Sequence, residues 1–403
     1  MEAVRERESY DLKLLIVTVV LLLGGMAVVL DASFARAMQS KAAGYDEYFY
    51  FKRQAMWSAV ALMTLFVGMK FPYWRLRRYW LIGIVASIVM LVLVMVPGIG
   101  IEVGGARRWL GFGTMRFQPS EFAKIALVIF LARYADLWRG RITHFTKGFI
   151  LPVLVVFAVG GLVAKEDLGT AITIVCTGLL MIYMMGAKPQ HMLLLLVAAL
   201  VIGLLFLAIE PYRITRVTSW LDLLVRPFVN HAKDAYQQQQ GLIALGSGGF
   251  WGQGLGRGGM AKHMYLPAEH TDYILATVGE ELGLVGCLVL LGFFTWLVIR
   301  GLNVAHRTRD WFGSLAAAGL IALIGIQALL NIAVVTCLVP CTGIPLPFIS
   351  YGGSSLVFTT LAVGIVLNIS QYPNRPVGEK KVRDVRESRT DGWRNRRAHL
   401  SRT

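Results

Sequence analysis

Long apolar stretches recur along this chain up to about residue 370, and short polar segments separate them. Because about 20 apolar residues span the hydrocarbon core of a bilayer as a helix, each such stretch predicts a membrane-spanning helix. The approximate bounds of the stretches are 12–30, 55–71, 79–97, 121–137, 148–165, 168–187, 189–209, 272–300, 312–338 and 348–369. The pattern therefore predicts an all-α, polytopic integral membrane protein with about ten transmembrane helices.

Lysine and arginine in the polar segments indicate which side of the membrane each segment faces. These residues are concentrated in segments 70–79, 133–147 and 300–311 and after residue 370. Because short cytoplasmic loops are enriched in Lys and Arg, these segments and both termini are predicted to be cytoplasmic. The predicted outward connections are then 31–54, 98–120, 210–271 and 339–347. The longest provides a large outward loop, residues 211–271, between helices 7 and 8 of a membrane domain that spans residues 1–370.

Composition and charge are consistent with this architecture and exclude one class of partner. Of the 403 residues, 56% are hydrophobic and 16% are charged, whereas ordinary soluble domains are about 25% charged. The formal net charge of +16 resides mainly in the predicted cytoplasmic segments, so it indicates topology and no nucleic-acid partner. Residues 371–403 are basic and lack periodicity, which predicts a disordered cytoplasmic tail that lies on anionic membrane lipids.

Three arginines lie in an outward connection, contrary to the distribution of charge elsewhere. Segment 97–121 contains Arg107, Arg108 and Arg116 among several glycines. Arginine forks fit phosphate and carboxylate groups, and glycines let backbone N–H groups approach an anion. Two interpretations stay open: the arginines bind an anionic ligand, or they bind lipid headgroups and nearby glutamates.

Lys124 lies about one helical turn inside the membrane. Ser120 is predicted to be the N-cap of its helix, and Glu121 lies on the same helical face as Lys124. Because a lysine within the membrane is energetically costly, Lys124 either forms a structural salt bridge with Glu121 or faces an aqueous cavity.

Several carboxylates share the outward leaflet with these basic residues. Asp272 stands at the outward start of the eighth span, near the aqueous edge. Glu280 is eight residues further on, about 12 Å deeper at 1.5 Å per residue, and Glu281 follows it. Asp167 lies in a tight turn on the same side, where solvated charge is the simpler interpretation. The convergence of the charged clusters on one leaflet predicts a site that opens outward.

Seven motifs, in this order along the chain, resemble the SEDS family (shape, elongation, division and sporulation). They are GARRW at 105–109, QPSE at 118–121 with Lys124, DLGT at 167–170, ALGSGG at 244–249, HTD at 270–272, GEELG at 279–283 and ISYGGSS at 349–355. The resemblance covers about residues 10–370. Two positions depart from the family pattern: Lys165-Glu166 replace Gln-Pro before Asp167, and the acid before His270 is moved by one position to Glu269.

The resemblance implies a ten-helix glycosyltransferase of the bacterial cytoplasmic (inner) membrane. Such an enzyme polymerises lipid II, an undecaprenyl diphosphate that carries a disaccharide-pentapeptide, into peptidoglycan strands with inversion at the anomeric carbon. It works with a class B penicillin-binding transpeptidase. The GARRW and YQQQQGLIALGSGG motifs are more similar to the division branch, the FtsW type, which implies divisome partners and a septal location. The alternative is an elongation polymerase of the RodA type.

The resemblance also implies roles for individual residues. Asp272 is expected to be the essential carboxylate, and its position at the aqueous edge suits a general base. Residues expected to contact the substrate are Arg107, Arg108, Gln118, Glu121, Lys124, Asp167, His270, Thr271, Ser350, Tyr351 and Gly352. No cofactor is certain, and a divalent cation, Mg²⁺ or Mn²⁺, held by Asp272 or Asp167 is an open alternative.

Two other classes of function compete with a polymerase. A transporter that flips lipid II would need polar groups distributed through the bilayer to both faces, whereas the charges here gather in the outer half. A non-catalytic scaffold for a transpeptidase is the third possibility.

Overall fold

A computed structural model describes residues 8–374 of this chain except 40, 42–43, 104, 113–114, 140–141, 143–147, 210, 227–232 and 259–269. The predicted disorder of the tail concerns residues after 374, which lie outside the described residues, and so does Glu269, the displaced acid before His270.

Ten helices of the described chain coincide with the ten predicted spans. They are α1 (Leu12–Gln39), α2 (Phe49–Lys70), α3 (Leu76–Met95), α4 (Pro119–Leu137), α5 (Ile150–Ala164), α6 (Leu168–Met184), α7 (Pro189–Ile209), α10 (Ile274–Arg307), α11 (Trp311–Val335) and α12 (Gly353–Ser370). A short 3₁₀ helix, Tyr73–Arg75, precedes α3. Two further helices, α8 (Pro211–Val225) and α9 (Lys233–Ser247), lie in the predicted outward loop.

The ten helices differ in how clearly each is suited to a bilayer. Among the described residues, α1, α3, α7, α10, α11 and α12 contain stretches long and apolar enough to cross a membrane by themselves. Helices α5 and α6 are apolar but shorter, with 15 and 17 residues. Helix α4 contains charged residues, yet most of it is buried among other helices. Protein groups rather than lipid therefore surround those charges.

The start of α4 differs from the sequence prediction. Ser120 is not the N-cap, because the helix begins at Pro119 and Gln118 occupies the capping position. Proline is favoured at the first helical position, where its missing N–H is not needed and its fixed φ already suits a helix. Ser120 is instead a buried residue of the first turn.

The outward connection before α4 folds into a small antiparallel sheet. Its strands are β1 (Ile101–Val103), β2 (Ala106–Phe112) and β3 (Met115–Phe117), in the order β1-β2-β3. Glu102 is paired with Arg107 across β1 and β2. Because successive side chains on a strand point to opposite faces, Arg107 and Arg108 leave β2 on different sides. The sheet thereby separates two arginines that are adjacent in the sequence.

Helix α10 is broken at Gly283, and the glycine-rich segment 248–258 is hydrogen-bonded to the backbone at the break. Gly283 has φ 65° and ψ −164°, which breaks the helix. The amides of Gln253 and Gly254 donate to the carbonyls of Glu280 and Glu281, at 2.9 and 3.0 Å. The segment thus replaces the helical hydrogen bonds that the break removes, as buried backbone groups require.

Glycines set the closest approaches between elements. In α1, a Cβ on Gly25 would lie 2.2 Å from the carbonyl oxygen of Phe348, whereas a Cβ on Gly24 would meet nothing within 4 Å. Gly25 therefore lets α1 contact the backbone of segment 336–352, the non-helical connection between α11 and α12.

We expect Gly25→Ala to destabilise the protein and Gly24→Ala to leave its stability unchanged or slightly raised. The first change forces the backbone of Phe348 away from α1, and the second replaces a helical glycine by a better helix former, worth up to about 1 kcal/mol. Melting of the two detergent-purified variants, followed by the monodisperse fraction in size exclusion, measures the difference. Equal melting temperatures would contradict the close contact.

Candidate functional site

Asp272 lies in the turn that leads into α10, at the predicted outward face. Its carbonyl oxygen accepts a hydrogen bond from Asn331 Nδ2 of α11 at 2.8 Å. Gly343 of segment 336–352 passes beside its carboxylate: a Cβ there would lie 3.5 Å from Asp272 Oδ2. Gly343 has φ 71°, a left-handed conformation that suits glycine. Asp272 is half-buried between these elements.

Charged groups from three other elements act on the Asp272 carboxylate. Burial raises the pKa of Asp272 to about 6, and the negative charge of Asp167 acts in the same direction. Three groups lower this pKa without cancelling the effect of burial: Arg108 on β2, His270 in the same turn, and Arg216 on α8. The site therefore combines a carboxylate of raised basicity with two arginines, of which Arg216 was not among the residues predicted from the sequence.

Asp167 holds Arg108 at the site. Its side chain is the N-cap of α6 and accepts a hydrogen bond from the Thr170 amide at 2.9 Å. Its other oxygen, Oδ2, lies 3.6 Å from Arg108 Nη1. The simpler interpretation of Asp167, as solvated charge in a turn, is thus replaced by a buried carboxylate that caps a helix and pairs with an arginine.

Four of the predicted substrate-contacting residues line one small cleft between the sheet and the helices α3 to α5. They are Arg107, Arg108, Gln118 and Asp167. The Arg107 amide donates to Glu166 Oε2 at 2.9 Å, and the Arg107 side chain reaches Glu102 Oε2 at 3.2 Å on an exposed face. Of the two arginines in GARRW, Arg108 is therefore the one directed toward Asp272.

Lys124 and Glu121 form a buried ion pair in the first turns of α4. Lys124 Nζ lies 2.9 Å from Glu121 Oε1 and 2.8 Å from Gln327 Oε1, and the side chains of Lys124 and Glu121 are each 4% exposed. Gln327 Nε2 in turn donates to the Pro345 carbonyl at 3.0 Å. Of the two interpretations of Lys124, the structure has the salt bridge, and a contact with substrate stays a prediction.

The ISYGGSS motif holds the HTD turn from the side of α12. Ser350 Oγ donates to the Thr271 carbonyl at 2.6 Å, and the Tyr351 amide donates to the His270 carbonyl at 2.9 Å. The rings of His270, Tyr50 and Tyr351 contact one another, with centroid distances of 4.9 Å (Tyr50–His270), 5.7 Å (His270–Tyr351) and 5.5 Å (Tyr50–Tyr351).

The backbone of the next residue starts α12. Gly352 occupies the N-cap of that helix, in an extended conformation. The HTD and ISYGGSS motifs, whose Thr271–Ser350 contact joins residues 79 positions apart, therefore build one structural unit around Asp272.

The divalent cation expected from the sequence would be held by Asp272 or Asp167. Within the part of the chain that the structure describes, no group of three or more His, Cys, Asp or Glu side chains is arranged to hold a metal ion. Asp167 and Asp272 are two carboxylates that act on each other, and each is also accompanied by an arginine. The divalent cation stays a prediction, and no step below depends on it.

Comparison with known proteins identifies the family. The family model described as "Cell cycle protein" (FTSW_RODA_SPOVE) matches residues 12–375. The chain belongs to this family.

Two curated relatives show the extent of the similarity. The stage V sporulation protein E of Bacillus subtilis (strain 168) is 39% identical over 370 residues, 91% of this chain and 98% of the relative. A probable peptidoglycan glycosyltransferase FtsW of Geobacter metallireducens is 39% identical over 368 residues, 91% of this chain and 96% of the relative.

Solved structures of the family have the same fold. A chain of a peptidoglycan synthase complex that coordinates polymerization and crosslinking has a TM-score of 0.73 at 26% identity, with 91% of this chain and 99% of that chain covered. The rod shape determining protein RodA of Thermus thermophilus has a TM-score of 0.65 at 26% identity, with 91% and 98% covered. The predicted SEDS membership and the predicted all-α polytopic fold are both confirmed.

Asn331 holds both the Asp272 turn and segment 336–352. Its Nδ2 donates to the Asp272 carbonyl at 2.8 Å and to the Ile344 carbonyl at 2.7 Å. We expect Asn331→Leu to lower the free energy of unfolding by about 2 kcal/mol or more, since two carbonyl groups lose their partner. Thr336→Val at the C-cap of the same helix is the control, because the Thr336 hydroxyl is exposed and donates only to carbonyls in the last turn of α11. Thermal melting in detergent compares them, and equal stability of the two variants would contradict the role of Asn331.

Proposed function

We propose that this protein is a peptidoglycan glycosyltransferase that polymerises lipid II at the outer face of the bacterial cytoplasmic membrane, in septal wall synthesis. The observation that carries the proposal is the meeting of the Asp272 carboxylate with Arg108 and Arg216 at one outward site. Membership of a family whose relatives are named peptidoglycan glycosyltransferase FtsW supports it.

The proposed reaction is a single displacement at an anomeric carbon. The Asp272 carboxylate accepts the proton of the C4 hydroxyl of a GlcNAc residue as that oxygen attacks C1 of a MurNAc residue. The bond from C1 to the diphosphate oxygen breaks, and the polyprenyl diphosphate leaves with the electron pair. Attack from the opposite side inverts the configuration at C1, and Asp272 then releases its proton to solvent. One carboxylate is sufficient for this sequence.

The surroundings of Asp272 suit such a base. A carboxylate with a pKa of about 6 is still ionised at neutral pH, and it accepts a proton more readily than an ordinary carboxylate. A catalytic pKa near the working pH gives a favourable compromise between these two requirements.

The reaction also needs positive groups that stabilise the negative charge on the leaving diphosphate, and arginine side chains are suited to this role. Arg108 is held by Asp167, so little reorganisation is needed when that charge appears. Preorganised donors of this kind each contribute about 3 kcal/mol to stabilisation of a transition state. Arg107 and the buried Lys124 are assigned to substrate contact by family resemblance alone.

The partner that we propose is a class B penicillin-binding transpeptidase, acting among other divisome proteins. This assignment is supported by the similarity of this chain, over 91% of its length, to one chain of a peptidoglycan synthase complex that coordinates polymerization and crosslinking. Crosslinking consumes the strands that a polymerase produces, so the two activities are complementary.

We expect Asp272→Asn to reduce strand synthesis by about 100-fold or more, because the amide cannot accept the proton. The control is Asp46→Asn, which changes an exposed carboxylate that pairs with Lys52. Purified protein, with a cognate transpeptidase and labelled lipid II, gives the measurement through gel separation of strands. Full synthesis by Asp272→Asn would remove the base assignment. Translocation of lipid II across liposomes by a wild type that makes no strands would favour a flippase instead.

The pH dependence of synthesis offers an independent check. Because the base acts in its ionised form, kcat/KM should fall as pH decreases through about 6, the pKa of Asp272. Asp167→Asn removes a negative charge that raises this pKa, so the acidic limb should move to lower pH, while asparagine still caps α6. Glu166→Gln, the adjacent acid, should leave the limb in place. A limb that stays or moves upward in Asp167→Asn would contradict the assignment.

A further inference from the structure

Side chains of the outward helices α8 and α9 hold the first part of segment 336–352. Carbonyl oxygens at every second residue accept a hydrogen bond from them: Cys337 from Trp220 Nε1 at 2.9 Å, Val339 from Gln238 Nε2 at 2.9 Å and Cys341 from Arg216 Nη1 at 3.2 Å. Buried backbone carbonyls without helical partners require such donors. The outward helices are therefore fastened to the segment that passes beside Asp272.

Arg216 and Trp220 lie on one face of α8, one turn apart. Near Trp220, the side chains of Leu223, Cys337 and Leu242 form a small apolar cluster. This cluster fixes α8 against segment 336–352 independently of Arg216. The position of the Arg216 guanidinium is thus set by packing as well as by its hydrogen bond.

We propose that Arg216 is a substrate-binding residue of the Asp272 site, where its guanidinium contacts the diphosphate of the polyprenyl substrate. The inference rests on the proposed function and deepens it, by assigning one further diphosphate contact to a residue of the outward helices.

Two observations support this role over a purely structural one. The hydrogen bond from Arg216 to the Cys341 carbonyl fixes the guanidinium two residues before Gly343, which passes beside the Asp272 carboxylate. Arg216 is also close enough to Asp272 to act electrostatically on it, as Arg108 does from β2. Two arginines from separate elements suit a ligand with two adjacent phosphates, each of which forms charge-assisted hydrogen bonds with such a fork.

Several other titratable groups lie close enough to Asp272 to interact with it electrostatically. Besides Arg108 and Arg216, they are Asp167 at the start of α6, His270 in the same turn, Tyr273 and Cys341. Burial raises the pKa of the Cys341 thiol, so this residue is neutral at pH 7. The arginines are therefore the groups at this site suited to an anion.

The test measures binding of fluorescently labelled undecaprenyl diphosphate to the full-length protein in nanodiscs, at low ionic strength. We expect Arg216→Gln to weaken binding by about 10-fold or more, the effect of one lost charge-assisted hydrogen bond. Glutamine keeps an N–H donor for the Cys341 carbonyl. Trp220→Phe is the matched control, since it removes a neighbouring anchor of α8 without a change of charge, and its affinity should stay within about twofold of the wild type.

Arg216→Lys separates charge from geometry. Lysine keeps the positive charge and loses the planar fork, so its affinity should lie between those of Arg216→Gln and the wild type. If Arg216→Gln does not remain monodisperse, Arg216→Lys takes its place, with binding a few-fold weaker than the wild type expected. Wild-type affinity in the variant that is tested would overturn the inference, and so would an equal loss in Trp220→Phe.

The same preparations separate this inference from the proposed function. A wild type that binds the diphosphate but makes no strands from lipid II would refute the polymerase and leave the Arg216 contact to the binding data. Strand synthesis by the wild type, with equal diphosphate affinity in wild type and Arg216→Gln, would refute the contact alone.

Discussion

Hydrogen bonding of buried, non-helical backbone is the constraint on which the site depends. Segment 336–352 is non-helical and mostly buried or half-buried, so its carbonyl groups need partners other than a helical ladder. Side chains provide them from both sides: Asn331 and Gln327 from α11, and residues of the outward helices from above. The irregular backbone is what allows Gly343 to pass beside the Asp272 carboxylate.

The same requirement governs the buried charged side chains of α4. Lys124 and Glu121 are almost completely buried, and each charge has the other as its partner, with Gln327 as a third member. Removal of one partner from a buried pair leaves an uncompensated charge, which costs about 3 to 5 kcal/mol. Because Gln327 also holds the Pro345 carbonyl, the ion pair is connected to segment 336–352. The burial of the ion pair and the position of segment 336–352 therefore depend on the same side chain, Gln327.

Helix α10 shows how a membrane helix is adapted to this site. Its start must present Asp272 outward while Glu280 and Glu281 are buried two turns deeper. The break at Gly283 exposes helical carbonyls, and the glycine-rich segment 248–258 satisfies them with its own amides. A Cβ on Gly252 would lie 2.1 Å from the Glu281 carbonyl oxygen, which explains why this contact uses glycine. The outward loop is thus an integral part of the membrane domain.

The sequence alone determined the number and order of the membrane helices, because bilayer thickness sets the length of an apolar stretch whatever surrounds it. Its motifs also indicated the family and most of the residues near Asp272. Only the tertiary structure decided which charges meet. Arg108 pairs with Asp167, Gln327 of another helix joins the Lys124–Glu121 pair that helical spacing had predicted, and Arg216 reaches the site from a helix that hydropathy does not distinguish. Partner choice depends on contacts between residues far apart in the chain, and no local pattern encodes it.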